Sequence, residues 1–199
     1  MGYTIEAAKA SKYIDYVYVS TDSDRIKDVA LQCGAKVPFL RSEELASDTA
    51  RTIDAIVYTL DKMEEIGENF DIMILLQPTS PLRTAEDING ALEKFAECGF
   101  KPLVSVSEVN DPPVLMRRII DDTHMERLLD STSTVRRQDM DKYYRVNGSI
   151  YINLVSEINT ATSFNDNEVP YIVPKENAVD IDEYADLEVA RYLMRNRKL

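Results

Sequence analysis

Asp180-Ile181-Asp182 sets two carboxylates two residues apart. In extended chain, residues i and i+2 face the same side, so the pair can converge while Ile181 turns away. Two hard oxygen donors, with places left for water and phosphate, suit Mg2+. The same triplet also reads as the acidic start of a helix, where carboxylates favour the positive end of the dipole. Arg136-Arg137-Gln138 and Arg145-x-Asn147-Gly148 bring three guanidinium groups into a short window. Arginine meets carboxylate or phosphate oxygens with two parallel hydrogen bonds; the other reading is three cations offsetting an acidic surface. Gln77-Pro78-Thr79-Ser80 follows the apolar run 72–76. In an open α/β sheet, ligands bind beyond the carboxyl ends of the strands, where Gln77, Thr79 and Ser80 would offer an amide and two hydroxyls. A tight turn before a helix capped by Thr84 explains Pro81 and Thr84, but leaves Gln77 unexplained.

Alternating signals supply the elements that must hold these residues. A β-rich run at 16–21 precedes Ser23 as an N-cap, and Ile26, Val29, Ala30 and Cys33 recur at helical spacing. A short strand is expected at 36–40. Ile53, Ile56, Val57 and Leu60 repeat the helical pattern, the 72–76 strand follows, and Ile88, Ala91, Leu92 and Phe95 repeat it again behind a Thr84/Asp87 capping box. Another strand is expected at 103–109, ended by Asp111-Pro112-Pro113. This β-α-β-α rhythm predicts a mostly parallel sheet with helices on both faces. After residue 110 the rhythm fails. Polar sequence runs to 141, strands are expected at 149–153 and 169–173, and a last helix, near 183–194, carries Tyr184, Leu187, Ala190 and Met194. The expected organisation is an α/β core formed by 1–110 and 176–199, with 111–175 as an inserted, extended β-arm.

Composition limits the partners. The 199 residues carry a formal net charge of -12, which argues against nucleic acid, since phosphate backbones need clustered Lys and Arg. A small anionic ligand needs only a few local cations and stays compatible. No apolar run approaches membrane-spanning length, and the first residues lack a signal-peptide pattern. Cys33 and Cys98 each fall where a helix should end, so reduced thiols and a cytoplasmic location are expected. The single His124 cannot build a multi-histidine metal site, and no nucleophile motif accompanies it. A solvent-exposed or structural role is expected for it.

Six stretches in order, "YTIEAAKAS", "VSTDSDRI", "PFLRSEELASDTARTID", "LLQPTSPLRTAEDI", "RRQDMDKYYRVNGSIYI" and "VDIDEYADL", cover the chain from residue 3 to about 188. In them the sequence resembles the acylneuraminate cytidylyltransferases, or CMP-sialic acid synthetases, relatives of the CMP-Kdo synthetases. The resemblance implies a Rossmann-like fold of the nucleotide-diphospho-sugar transferase type with a β-rich dimerisation arm. It also implies a reaction in which a sugar-acid hydroxyl attacks the α-phosphorus of CTP, giving a CMP-sugar and pyrophosphate. By motif, Arg41, Ala50 and Thr52 would lie near the cytosine, and Gln77, with Thr79 and Ser80 beside it, would meet a nonulosonic acid such as N-acetylneuraminate. Arg137 and Arg145 would hold its carboxylate or the phosphates. Tyr151 would shape the pocket and Asn147 would meet substrate; Asp180 and Asp182 would bind Mg2+, and Asp182, Arg137 and Arg145 would be the catalytic residues. A homodimer is implied, in which the arm, with Phe164, reaches the partner's site. Relatives carry a strand and an "RxGSKR"-type loop before "YTIEAA"; here Met1-Gly2 stands before Tyr3, so the grip on the triphosphate is expected to be impaired. Val114-Leu115-Met116 stands where relatives often have a lysine. Two other readings remain. One is a non-catalytic nucleotide- or sugar-binding relative or subunit completed by another polypeptide. The other is a glycosyltransferase using Asp180-x-Asp182 as its metal motif, which the order of the other motifs disfavours.

Overall fold

Period-two alternation along the strands builds two cores, one on each face of a single sheet. The computed structural model describes residues 1–47, 49–130, 134, 136 and 140–197. Its helices are α1 (Gly2–Ala10), α2 (Asp24–Gln32), α3 (Thr52–Glu65), α4 (Ala85–Glu97) and α5 (Tyr184–Asn196). Its strands are β1 (Ile72–Leu75), β2 (Leu103–Glu108), β3 (Arg117–Asp121), β4 (His124–Arg127), β5 (Tyr144–Leu154) and β6 (Val169–Ile172). On one face Ile72 and Ile74 of β1, Leu103 of β2, and Ile150 and Ile152 of β5 meet Ile88, Ala91 and Phe95 of α4. On the other, Met73, Leu75, Val104, Val106 and Tyr151 meet Ile53, Ile56 and Val57 of α3. Each fully buried aliphatic or aromatic side chain contributes about 1.5–3 kcal/mol relative to exposure. Ile53, Ile56 and Val57 of α3 and Ile88, Ala91, Leu92 and Phe95 of α4 face the sheet as their spacing predicts, whereas in α2 Ile26 and Val29 are exposed and only Ala30 and Cys33 pack inward. Thr84 closes the expected capping box on α4, accepting from Asp87 N–H at 3.0 Å while the Asp87 carboxylate accepts from Thr84 N–H at 2.9 Å.

The sheet has the order β1-β5-β2-β6. β5 is antiparallel to both of its neighbours, and only β2 and β6 pair in parallel. This corrects the expectation of a mostly parallel sheet: it is mixed. The α4 crossover makes β1 and β2 run the same way, as the rhythm requires, but leaves a slot one strand wide between them. The chain re-enters that slot from the carboxyl rim, so β5 must run back. Residues expected to lie in the 111–175 arm are therefore shared out. β5 and β6 complete the central sheet, and the β3–β4 hairpin forms a separate two-stranded sheet. The hairpin is exposed along β4 and most of β3, including Ile119 at 78% and Met125 at 62%, and His124 lies on it in solvent.

Three other expectations change. The segments 16–21 and 36–40 are extended but share a single parallel bridge, Tyr18 to Lys36, rather than forming strands. Phe164 is buried against this chain's own Tyr151, with ring centroids 6.0 Å apart, and takes no part in the hairpin. Tyr184 of α5, expected on the apolar face, is solvent-exposed, while Ala190 is buried. Cys33 and Cys98 are free and terminate α2 and α4.

Candidate active site

The site begins with a break in the β2–β5 ladder. Leu103 pairs with Ile152 and Val104 with Tyr151, but the next pair is Val106 with Val146, so Ser105 alone stands opposite residues 147–150. Its hydroxyl replaces the missing rungs, donating to Asn147 Oδ1 at 2.6 Å and accepting from Ile150 N–H at 2.8 Å. Asn147 Oδ1 also accepts from Ser149 N–H at 3.1 Å. Within this bulge Gly148 adopts φ +70, and an added Cβ there would collide with the side-chain amide of Gln77. The bulge thus delivers bare backbone against the amide at the exit of β1. Ser105→Ala strands one buried donor, the Ile150 N–H, and leaves Asn147 Oδ1 with the Ser149 N–H alone; it is expected to cost about 1–3 kcal/mol, read as a lower urea midpoint.

The acidic pair arrives at the same place. Ile181 N–H donates to the Thr79 carbonyl at 2.9 Å, so the 180–182 segment runs alongside the Gln77 turn. Asp180 is half-buried, and its Oδ1 is enclosed without a hydrogen-bond partner among the described residues. Asp182 is exposed, and its N–H, with that of Glu183, bonds the Asp186 carboxylate at the start of α5. Burial, and then the Asp180 charge, push the Tyr151 hydroxyl above the usual tyrosine range. That hydroxyl donates to Asn165 Oδ1 at 2.9 Å. Among the described residues no cluster of three or more His, Cys, Asp or Glu could enclose a metal. A half-open pair of carboxylates, one with an enclosed and unsatisfied oxygen, fits an ion that keeps most of its ligands as water and phosphate.

The structure thus gathers Gln77, Thr79, Tyr151 and Asp180 at one rim. Ser80 lies there too, but only 1% exposed, with its hydroxyl enclosed. Asn147 is likewise buried and commits its oxygen to the bulge. Arg145 is exposed on β5 opposite Ser107, beside a cleft of about 480 Å3 lined by Glu108, Asn110, Lys142, Tyr143 and Lys175. Arg137 lies outside the described residues. Thr52 is exposed at the first turn of α3, and Ile53, next to it, packs in the same cluster as Tyr151. Arg41 and Ala50 are held elsewhere, by Thr21 and Ser47 respectively, and the Nε of Arg41 is enclosed without a partner.

Two residues of this architecture carried no assigned role in the sequence reading: Ser105, and Arg83 of the same "LLQPTSPLRT" stretch. Arg83 is a cation between a turn and a helix cap, and that odd placement was the available signal. Ser105 offers none, since serine is unremarkable in a strand.

The family model described as Cytidylyltransferase matches residues 1–199. The CMP-N,N'-diacetyllegionaminic acid synthase of Legionella pneumophila is 36% identical over 206 residues, spanning 98% of this chain and 84% of that protein. The N-acylneuraminate cytidylyltransferase of Escherichia coli is 34% identical, over 96% of this chain and 44% of that longer protein. Among solved structures, a CMP:2-keto-3-deoxy-manno-octonic acid synthetase complexed with CTP superposes with a TM-score of 0.70. It covers 98% of this chain and 87% of that one at 17% identity, a likeness of fold. The chain belongs to the cytidylyltransferase family.

Proposed function

We propose that this protein is a CMP-nonulosonic acid synthetase, transferring CMP from CTP to a sugar acid such as N-acetylneuraminate. The observation that carries this reading is the Ile181–Thr79 hydrogen bond, which brings an acidic pair with an unsatisfied oxygen to the loop that bears Gln77. A hydroxyl of the sugar acid attacks the α-phosphorus, a new P–O bond forms, and the bond to the β-phosphate breaks to release pyrophosphate. Such transfers depend on positioning and on neutralising phosphate charge. Gln77 orients the sugar acid from the exit of β1. Arg145, with Arg137, pairs with its carboxylate or with the phosphates. Asp182, exposed beside Asp180, accepts the proton of the attacking hydroxyl. Tyr151 floors the pocket, and Arg41, Ala50 and Thr52 form the cytosine side.

Asp180 and Asp182 are the residues that would hold Mg2+, which when bound neutralises and orients the triphosphate. The β3–β4 hairpin, with Ile119, Ile120 and Met125 exposed on it, is the surface through which two copies pair, giving a homodimer. The location we assign is the cytoplasm.

The test is pyrophosphate release from CTP and Mg2+ with N-acetylneuraminate and, in parallel, N,N'-diacetyllegionaminate. Release that requires one of the acids supports the reading, and the preferred acid names the substrate. Release absent with both, at enzyme concentrations approaching that of CTP, would overturn it.

A further inference from the structure

Arg83 sits in the turn after β1, only 3% exposed, and its guanidinium meets carbonyls instead of a carboxylate. One Nη donates to the Ser149 carbonyl at 2.7 Å, and both Nη atoms reach the Gln77 carbonyl at 3.4 Å. The nearby carboxylate of Asp87 is taken up by Thr84 and Asn177, so it acts on Arg83 only through space. Burial draws the Arg83 pKa down to about 10, which leaves the side chain charged at neutral pH. Burying a guanidinium is costly unless its donors are met. Here the two Nη atoms are met, by the main chain on either side of one contact, while Nε is enclosed without a partner among the described residues. Gln77 lies at the exit of β1, Ser149 lies in the β5 bulge, and Gly148, between Asn147 and Ser149, abuts the Gln77 amide. Planar, forked donors can span two carbonyls in this way, whereas a lysine ammonium lacks the fork.

We propose that Arg83 is a positioning residue for the sugar acid: its guanidinium ties the exit of β1 to the β5 bulge and so holds the Gln77 amide in register against Gly148. The inference rests on the functional reading above and adds to it a residue that need not touch substrate. Its signature is selective. Loss of the fork loosens the Gln77 amide and weakens the acid, while the cytosine side, built on Arg41, Ala50 and Thr52, is left intact.

The experiment has two arms. In the first, Arg83→Lys, Gln77→Ala and the double variant are compared in the pyrophosphate assay. The KM for the acid is expected to rise about tenfold in Arg83→Lys, the order for one lost charge-assisted hydrogen bond, with the KM for CTP unchanged. In the Gln77→Ala background the same substitution should add little, because the two act as one unit. Additive effects, or equal rises in both KM values, overturn the proposal. The second arm uses the unmodified protein, so it survives any failure of a variant to fold. Titration with N-acetylneuraminate is followed by NMR at the Gln77 side-chain amide and the Arg83 guanidinium. Shifts at both support the coupling, and a shift at Gln77 alone overturns it. No shift at either residue removes the substrate reading and this inference together.

Discussion

Asp180→Asn is expected to lower kcat/KM for CMP transfer by about a thousandfold, or roughly 4 kcal/mol of transition-state stabilisation. The same substitution should raise the stability of the ion-free protein. Asp180 Oδ1 is enclosed and accepts no hydrogen bond from the described residues, and an amide oxygen, less strongly hydrated than a carboxylate's, loses less by being left so. A gain of about 1 kcal/mol, a rise of roughly 2–4 °C in Tm for a chain of this size, is the expected scale. The wild-type protein should in turn be stabilised by millimolar Mg2+ in the presence of CTP, through mass action on the folded state, and the variant should lose that increment. Opposite signs in activity and stability separate a ligand-holding carboxylate from a structural one. A variant that melts lower than wild type and keeps its response to Mg2+ would show that Asp180 serves the fold alone.

Gly148→Ala is the second large effect, and it acts on stability and on the substrate by different routes. At φ +70 a side chain costs about 1–2 kcal/mol, since only glycine enters this region freely. The collision with Gln77 adds little to that cost, because the far end of a flexible side chain can swing aside. Swinging aside is the functional injury, for the amide then leaves the place from which, on the proposed function, it orients the sugar acid. Misplacement of about 1 Å can cost two orders of magnitude in rate, so kcat/KM for the acid should fall about a hundredfold while CTP binding is retained. Gln77→Ala in the Gly148→Ala background should leave the backbone penalty intact and add no further loss of activity. Calorimetry of the four proteins checks the first statement and steady-state kinetics the second. Normal acid kinetics in a folded Gly148→Ala protein would detach Gln77 from the substrate.

Local signals identified α3, α4, β1 and β2 because apolar spacing and capping are properties of neighbouring residues. The Thr84–Asp87 box and the Ile88, Ala91, Phe95 stripe are examples. The direction of β5 was not legible for the opposite reason. A strand buried on both sides shows the same pattern whichever way it runs, and residues 149–153 carry no mark of their neighbours. The run at 16–21 has strand composition but meets residues 36–40 at one bridge only, so composition overstated it. At the site, the 180–182 segment bonds the Thr79 carbonyl of the turn after β1, a contact between stretches distant in sequence that no local pattern reveals. Asn147 is a polar residue whose amide oxygen, with the Ser105 hydroxyl, takes the place of ladder bonds, while the Ser80 hydroxyl is enclosed without a partner among the described residues. Residue type alone does not distinguish a group offered to a ligand from one that mends a bulge.

The central position of β5 also dictates an order of assembly. β1 and β2 have been synthesised by residue 108, yet neither can find an in-sheet partner until residues 144–154 emerge, and Ile72 must wait for Leu154. Pairings so distant along the chain delay closure and leave apolar strand edges open on the nascent polypeptide. The last third of the chain therefore works as a keystone. Until it is inserted, the growing protein is a natural client for chaperones, and it will be most prone to aggregate when translation stalls before residue 144.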